Sequence, residues 1–215
     1  MRYCFDAETI SLPALKERIV STDLVPSREA IKTGLDDVLA KLNGLGIQNL
    51  AALRKELKDN KRLFAIADQT GIDKDYLALL RREVESWYPK PFSLKEFDWI
   101  PADESAKLEA AGIKTTADLC ENPEKAMTAG VPAENLDHLL KCADLTRIQW
   151  ISPLAARMLV TAGYETPAAV AVANPEELDR GMNDANVKNT WFKGRIGLRD
   201  IKRLIDAARY VSLWY

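Results

Sequence analysis

Apolar positions recur along this chain at helical spacing, in segments that stop and start every 8 to 18 residues. Alternating runs of the β type are nearly absent. The pattern predicts an all-α protein. Glycine marks the stops: Gly46-Ile47, Gly71-Ile72, Gly112-Ile113, Gly130-Val131, Gly163-Tyr164 and Gly181-Met182 each set a glycine before an apolar residue. Just past a helix end such a glycine takes the left-handed conformation, and the next apolar side chain folds back on the last turn. Proline marks the starts. Ser152-Pro153, Thr166-Pro167 and Asn174-Pro175 place a capping side chain before a proline at the first helical position. Thr115 with Asp118 reads as a variant capping box. Helices are expected near 12–20, 27–43, 49–58, 61–70, 73–87, 102–111, 116–121, 123–129, 133–146, 153–162, 167–173, 175–183 and 197–211. Tyr88-Pro89-Lys90-Pro91 favours an extended link, which sets two lobes near 1–88 and 92–215.

The same punctuation exposes an internal repeat. A shift of 51 residues brings Trp99-Ile100 onto Trp150-Ile151, Leu108 onto Leu159, Ala111-Gly112 onto Ala162-Gly163, Thr115 onto Thr166 and Ala117 onto Ala168. A weaker third copy places Leu42 on Leu108, Gly46-Ile47 on Gly112-Ile113 and Leu53 on Leu119. Stacked helical units of this kind bury one another's apolar faces. The later lobe would hold two units, near 99–148 and 149–215, and the first lobe one. Trp99 and Trp150 are expected to be equivalent core anchors between units.

Each unit reads Trp-Ile, a spacer, Leu-x-x-Ala-Gly-apolar-x-Thr, which is similar to the second helix and following turn of helix-hairpin-helix domains. The whole chain resembles a bacterial family known as domain of unknown function 4332. The resemblance rests on Thr22-Asp23-Leu24-Val25-Pro26-Ser27-Arg28, Tyr76-Leu77 through Leu79-Leu80-Arg81-Arg82-Glu83, the Ala111-Gly112-Ile113 turn, and Ala143-Asp144-Leu145 with Arg147-Ile148. It implies tandem helix-hairpin-helix-like repeats and supplies no activity to carry over.

Composition narrows the function classes. The 215 residues, 47% hydrophobic and 29% charged, suit one large or two small soluble domains. A formal charge of −2 means the chain as a whole is no polycation. The balance is uneven, however. Residues 95–185 carry −8 and residues 186–215 carry +5. One histidine and three widely spaced cysteines, Cys4, Cys120 and Cys142, argue against most zinc sites and fit reduced core thiols. The first residues, Met1-Arg2-Tyr3-Cys4-Phe5-Asp6, carry no signal-peptide pattern, and the most apolar stretch, Ala168–Ala173, is far shorter than the roughly 20 residues a membrane helix needs. A cytoplasmic protein with no membrane contact is expected.

Two places invite a phosphate. Leu42-Asn43-Gly44-Leu45-Gly46, followed by Arg54-Lys55, formally matches the glycine hairpin through which helix-hairpin-helix modules grip phosphate with backbone amides. The repeat instead makes Gly46 a helix stop. The hairpins of the later units, Ile100-Pro101-Ala102 and Ile151-Ser152-Pro153, lack the glycines and read as structural. The second place is the basic tail. Arg199, Lys202 and Arg203 share one helical face opposite Leu198, Ile201, Ile205 and Ala208, with Arg195, Trp191 and Phe192 just before. Either this tail faces a nucleic-acid backbone or it is a solvated face meeting the acidic middle. The second is favoured, because the acidic segment repels a nearby backbone.

Catalysis is not expected. His138 and Cys142 stand i, i+4 on one helix, as metal ligands do, but no further ligand accompanies them and Cys142 shares its side with Leu139 and Leu145. No Walker loop or dinucleotide fingerprint exists. The sequence therefore predicts a non-catalytic binding protein with neither metal nor cofactor. Its expected partner is DNA or RNA, touched at Gly44, Gly46, Arg54 and Lys55 or at Arg195, Arg199, Lys202 and Arg203. The alternative is an adaptor that docks another protein in a groove between units.

Overall fold

A computed structural model describes residues 2–214, the side chain of Ser212 apart. It is mostly helical, and the described residues hold no strand, only two isolated bridges. The chain divides into two compact units. One is 6–88; the other joins 89–215 to the first few residues.

The 6–88 unit contains α1 (Leu12–Ser21), α2 (Leu35–Gly44), α3 (Leu50–Glu56), α4 (Asn60–Thr70) and α5 (Lys74–Trp87). A single helix over 27–43 does not form. Gly34 adopts φ 72 and divides that segment into a 3-10 turn, Pro26–Lys32, and α2. Two charged side chains, Glu83 and Arg18, are drawn inside, and Arg28 is partly so. Glu83, 1% exposed, accepts the Trp87 indole N–H at 2.8 Å and an Arg28 N–H at 2.7 Å. The Arg18 guanidinium, also buried, lies 4.5 Å from the centre of the Trp87 ring. Buried charge is tolerable only when paired in this way. The motifs 22–28 and 76–83 thus meet in a structural cluster.

The second unit contains α6 (Ala102–Ala110), α7 (Thr116–Glu121), α8 (Pro123–Met127), α9 (Ala133–Leu145), α10 (Pro153–Thr161), α11 (Pro167–Ala171), α12 (Pro175–Asn189) and α13 (Leu198–Trp214). α9 packs on α7 and α10, and α13 on α11 and α12. Leu108, Leu139, Leu159, Val170, Leu178, Ile201 and Ala208 belong to one continuous core. α12 runs past Gly181, which the apolar neighbour Met182 makes look like a stop. Here the missing side chain serves close helix contact, since a Cβ on Gly181 would lie 3.2 Å from the Ala162 Cβ. The helix ends instead at Thr190, whose φ is 56.

The repeated segments share one local geometry. Gly46, Gly112 and Gly163 have φ of 81, 83 and 90. One residue after each glycine, and five after a buried leucine, the same bond closes the turn. The Ile47, Ile113 and Tyr164 amides donate to the carbonyls of Leu42, Leu108 and Leu159 at 3.2, 2.9 and 2.9 Å. This six-to-one bond is the signature of a Schellman stop. Asn49, Thr115 and Thr166 then cap the next helix, accepting from the amides of Ala52, Asp118 and Ala169. Leu53, Leu119 and Val170 follow, all fully buried. The first two turns are clamped further by an extended segment: Ser11 bridges Asn49, and Ser93 bridges Thr115.

Residues 2–5 belong to the second unit, which corrects the expected first lobe of 1–88. Tyr3 is the reason. Its side chain is 2% exposed, its hydroxyl donates to the Lys90 carbonyl at 3.2 Å and shares a 3.0 Å hydrogen bond with the Thr146 hydroxyl. Its amide donates to Glu121. Burial holds the phenol above its ordinary pKa of 10.0, against the opposing hydrogen bonds from Thr116 and Thr146. The folded state therefore favours the protonated phenol. Above pH 10 the unfolded chain releases this proton more readily, so stability falls as pH rises from there to the raised folded value. Tyr3→Ala is expected to cost about 3–5 kcal/mol in urea unfolding. Tyr3→Phe is expected to cost about 1–2 kcal/mol at neutral pH and to lessen the alkaline decline relative to the parent protein.

Candidate functional site

The second unit carries a cationic loop, residues 190–197, between α12 and α13. Two asparagines fix its path. Asn183 and Asn186 stand three apart on α12 and so point the same way. The Asn186 amide donates to the carbonyls of Phe192 and Gly194 at 3.0 and 3.1 Å, and its oxygen accepts the Phe192 N–H at 2.7 Å. Asn183 accepts the Ile196 N–H at 3.1 Å and donates to Asp179. Backbone groups that a polar loop would otherwise leave to water are thus bound by side chains. The Phe192 ring lies over Gly194, where a Cβ would come within 2.6 Å of the ring edge and displace it.

The clamp decides what faces solvent. Phe192 is 50% exposed, and Lys188, Lys193, Arg195, Arg199 and Lys202 are exposed around it. Trp191 turns inward, with the Arg157 guanidinium 4.3 Å from its ring centre. A polar cavity of about 530 Å³ opens beside the loop, lined by Asp179, Arg180, Asn183, Gly194 and Arg195 among others.

The sequence-derived cations do not all share this role. Arg195 pairs with Asp179 at 3.0 Å, a direct contact between the basic tail and the acidic middle. Arg203 is only 11% exposed and lies 3.5 Å from Asp200. Lys202 is exposed, and among the described residues no ion pair falls on Lys188, Lys193 or Lys202. Leu198, expected on the buried face of α13, is exposed, whereas Ile201, Ile205 and Ala208 are buried.

The first expected phosphate site is not available. Gly44 is the last residue of α2, and the amides of Leu45, Gly46 and Ile47 donate to the Leu42 and Asn43 carbonyls. No cradle of free amides exists there to meet an anion. Arg54 binds Glu85 through two hydrogen bonds, 2.7 and 3.0 Å, and stacks 3.8 Å from the Tyr88 ring centre. Lys55 is exposed in the last turn of α3. The sequence reading missed Asn183 and Asn186. The signal was present as paired amides at i, i+3 ahead of a glycine-containing basic stretch, but exposed asparagines look the same.

His138 and Cys142 do come together, with the Cys142 sulfur 3.8 Å from the His138 Nε2. Burial pushes the Cys142 and Cys120 thiols up to about 12. Burial lowers the His138 pKa, helped by the charges of Arg157 and Lys141. The histidine ring sits edge-on to Trp99, centroids 4.6 Å apart. A neutral ring and a protonated thiol form a core contact, not an activated pair. Among the described residues no group of three metal-ligating side chains occurs. A thiol-reactive disulfide reagent at neutral pH is expected to leave Cys120 and Cys142 unmodified in the folded protein, and to label both in denaturant. Labelling of either at the rate of an exposed thiol contradicts this geometry.

Residues 99–211, from just before α6 through most of α13, match the family described as Domain of unknown function (DUF4332). The match is narrower than the resemblance suggested, and leaves the motifs at 22–28 and 76–83 outside it. No curated protein and no solved structure matches the chain. With just over half of its residues in that match, the chain belongs to the DUF4332 family.

Proposed function

We propose that this protein binds nucleic acid without chemistry, through the α12–α13 loop and the exposed start of α13, and that its three glycine-turn segments are helix-hairpin-helix-like units. The observation that supports this reading is the asparagine clamp. It holds a loop bearing Lys193, Arg195 and an exposed Phe192 in one fixed path, next to Lys188 and Lys202. A pre-fixed loop loses little conformational freedom on binding, so its charges act at lower entropic cost. Lysines against phosphate release counterions, and an aromatic ring among them adds a base-facing surface. The polar groups of Asn183 and Asn186 are spent on the loop backbone, which speaks for positioning and against catalysis. Gly44, Gly46 and Arg54 drop out of the site for the reasons given above.

No helix among the described residues is long and apolar enough to cross a membrane. Docking of another protein is the alternative, and would draw on the exposed Val172, Val187 and Leu213. Polarisation of labelled duplex DNA and of labelled oligothymidylate separates the two readings. Binding at low salt is expected to weaken steeply as salt rises. Lys188→Ala, Lys193→Ala and Lys202→Ala are each expected to flatten the log–log salt slope by about 1. Absence of binding to both probes at low salt, or slopes indifferent to the three lysines, overturns the reading.

A further inference from the structure

Trp150 departs from everything around it. Residues 145–149 and Ile151 are buried, yet Trp150 between them is 50% exposed. Its φ is +71, a left-handed conformation that bulky L residues rarely adopt. The conformation is fixed from both sides: the Ile151 amide donates to the Ile148 carbonyl at 3.2 Å, and Ser152 caps α10 through the Ala155 amide. The indole is therefore held out on a rigid turn. It does not swing on a loose one.

The repeat makes this harder to explain as core. Trp99, the equivalent residue, does pack: edge-on to His138 and to Phe97, with Arg157 5.5 Å from its ring centre. Trp150 has the same place in the repeat, yet it is exposed where Trp99 is half-buried against the core. A glycine would relieve the backbone there and leave the core intact. An observed outlier of this kind points to a function that the fold alone does not require.

Its position suggests which. Among the described residues, Trp150 and Thr190 are the non-glycine residues at positive φ. Thr190 opens the cationic loop. Trp150 precedes α10, and Arg157 on α10 touches Trp191 of that same loop. From Pro153 to Arg157 the helix rises only about 6 Å. The two residues thus flank elements joined by the Arg157–Trp191 contact, and the loop and its flanks expose Lys188, Lys193, Arg195, Arg199 and Lys202.

We propose that Trp150 is a stacking platform for an unpaired nucleobase, and that the strand it selects continues onto the cationic loop. This rests on the phosphate-binding reading and adds selectivity to it. A duplex hides its base faces, whereas a single strand offers them, and the lysines serve either backbone alike. The indole supplies the preference for the unpaired strand.

The test uses the full chain, with oligothymidylate and a duplex as probes and Trp150→Gly, Trp150→Ala and Trp150→Phe as variants. Trp150→Gly is expected to melt at the same temperature as the parent or higher, because it removes strain and no core contact. It is expected to bind oligothymidylate about tenfold or more weakly, with duplex affinity and the salt slope unchanged. Trp150→Phe is expected to keep most of the single-strand affinity. Oligothymidylate binding that ignores all three variants overturns the stacking role while the lysine-dependent binding stands. A lower melting temperature for Trp150→Gly, with equal loss on both probes, shows a structural tryptophan and also overturns it. Failure of both probes to bind the parent protein overturns the phosphate reading, and the stacking role with it.

Discussion

Each helix of the repeated segments must stop, turn and restart within a few residues without leaving backbone groups unpaired. One hydrogen bond governs this, from the amide two places into the turn back to a fully buried leucine carbonyl. It forms only if the residue before the donor is left-handed, which is why glycine stands there. Once it forms, the next apolar side chain is committed to the core and the following capping residue is aimed at a new helix. In the second unit these turns set the directions in which α7 leaves α6 and α11 leaves α10, and so how α7 meets α9 and α11 meets α13. The first unit uses the same device at Gly46.

What the sequence made legible was what local chemistry dictates. Ser152, Thr166 and Asn174 cap as their spacing before proline requires, and Thr115 forms its reciprocal box with Asp118. What it hid depends on distant partners. Gly181 carries the same mark as a stop, and only Ala162, from another helix, reveals that the glycine is there for close approach. Tyr3 looks like an ordinary terminal aromatic until Thr146 and Lys90 meet it. Trp99 and Trp150 share a repeat position, and the repeat rightly equates their backbones' place in the chain. It has no information on the left-handed turn that separates their side chains.

Charge shows the same division. The acidic middle and basic tail are plain in the sequence, but contact between them is selective. Arg195 is taken by Asp179, while Arg203 and Arg209 find partners on their own helix, Asp200 and Asp206. The tail lysines Lys188, Lys193 and Lys202 are left to solvent. Arginine, with its planar fork, suits the fixed pairs, and lysine remains the mobile charge at the surface.

The seat of Tyr3 also bears on the order in which the protein assembles. Residues 2–5 leave the ribosome before the whole of 6–88, yet the hydroxyl that receives Tyr3 belongs to Thr146. At common rates of synthesis that hydroxyl follows on the order of ten seconds later. In the interval the 6–88 unit has all its own residues and is free to fold, while the segment ahead of it waits undocked. Docking of Tyr3 on Lys90 and Thr146 then joins the two segments that flank the 6–88 unit, so completion of the second unit waits for residues far along the chain.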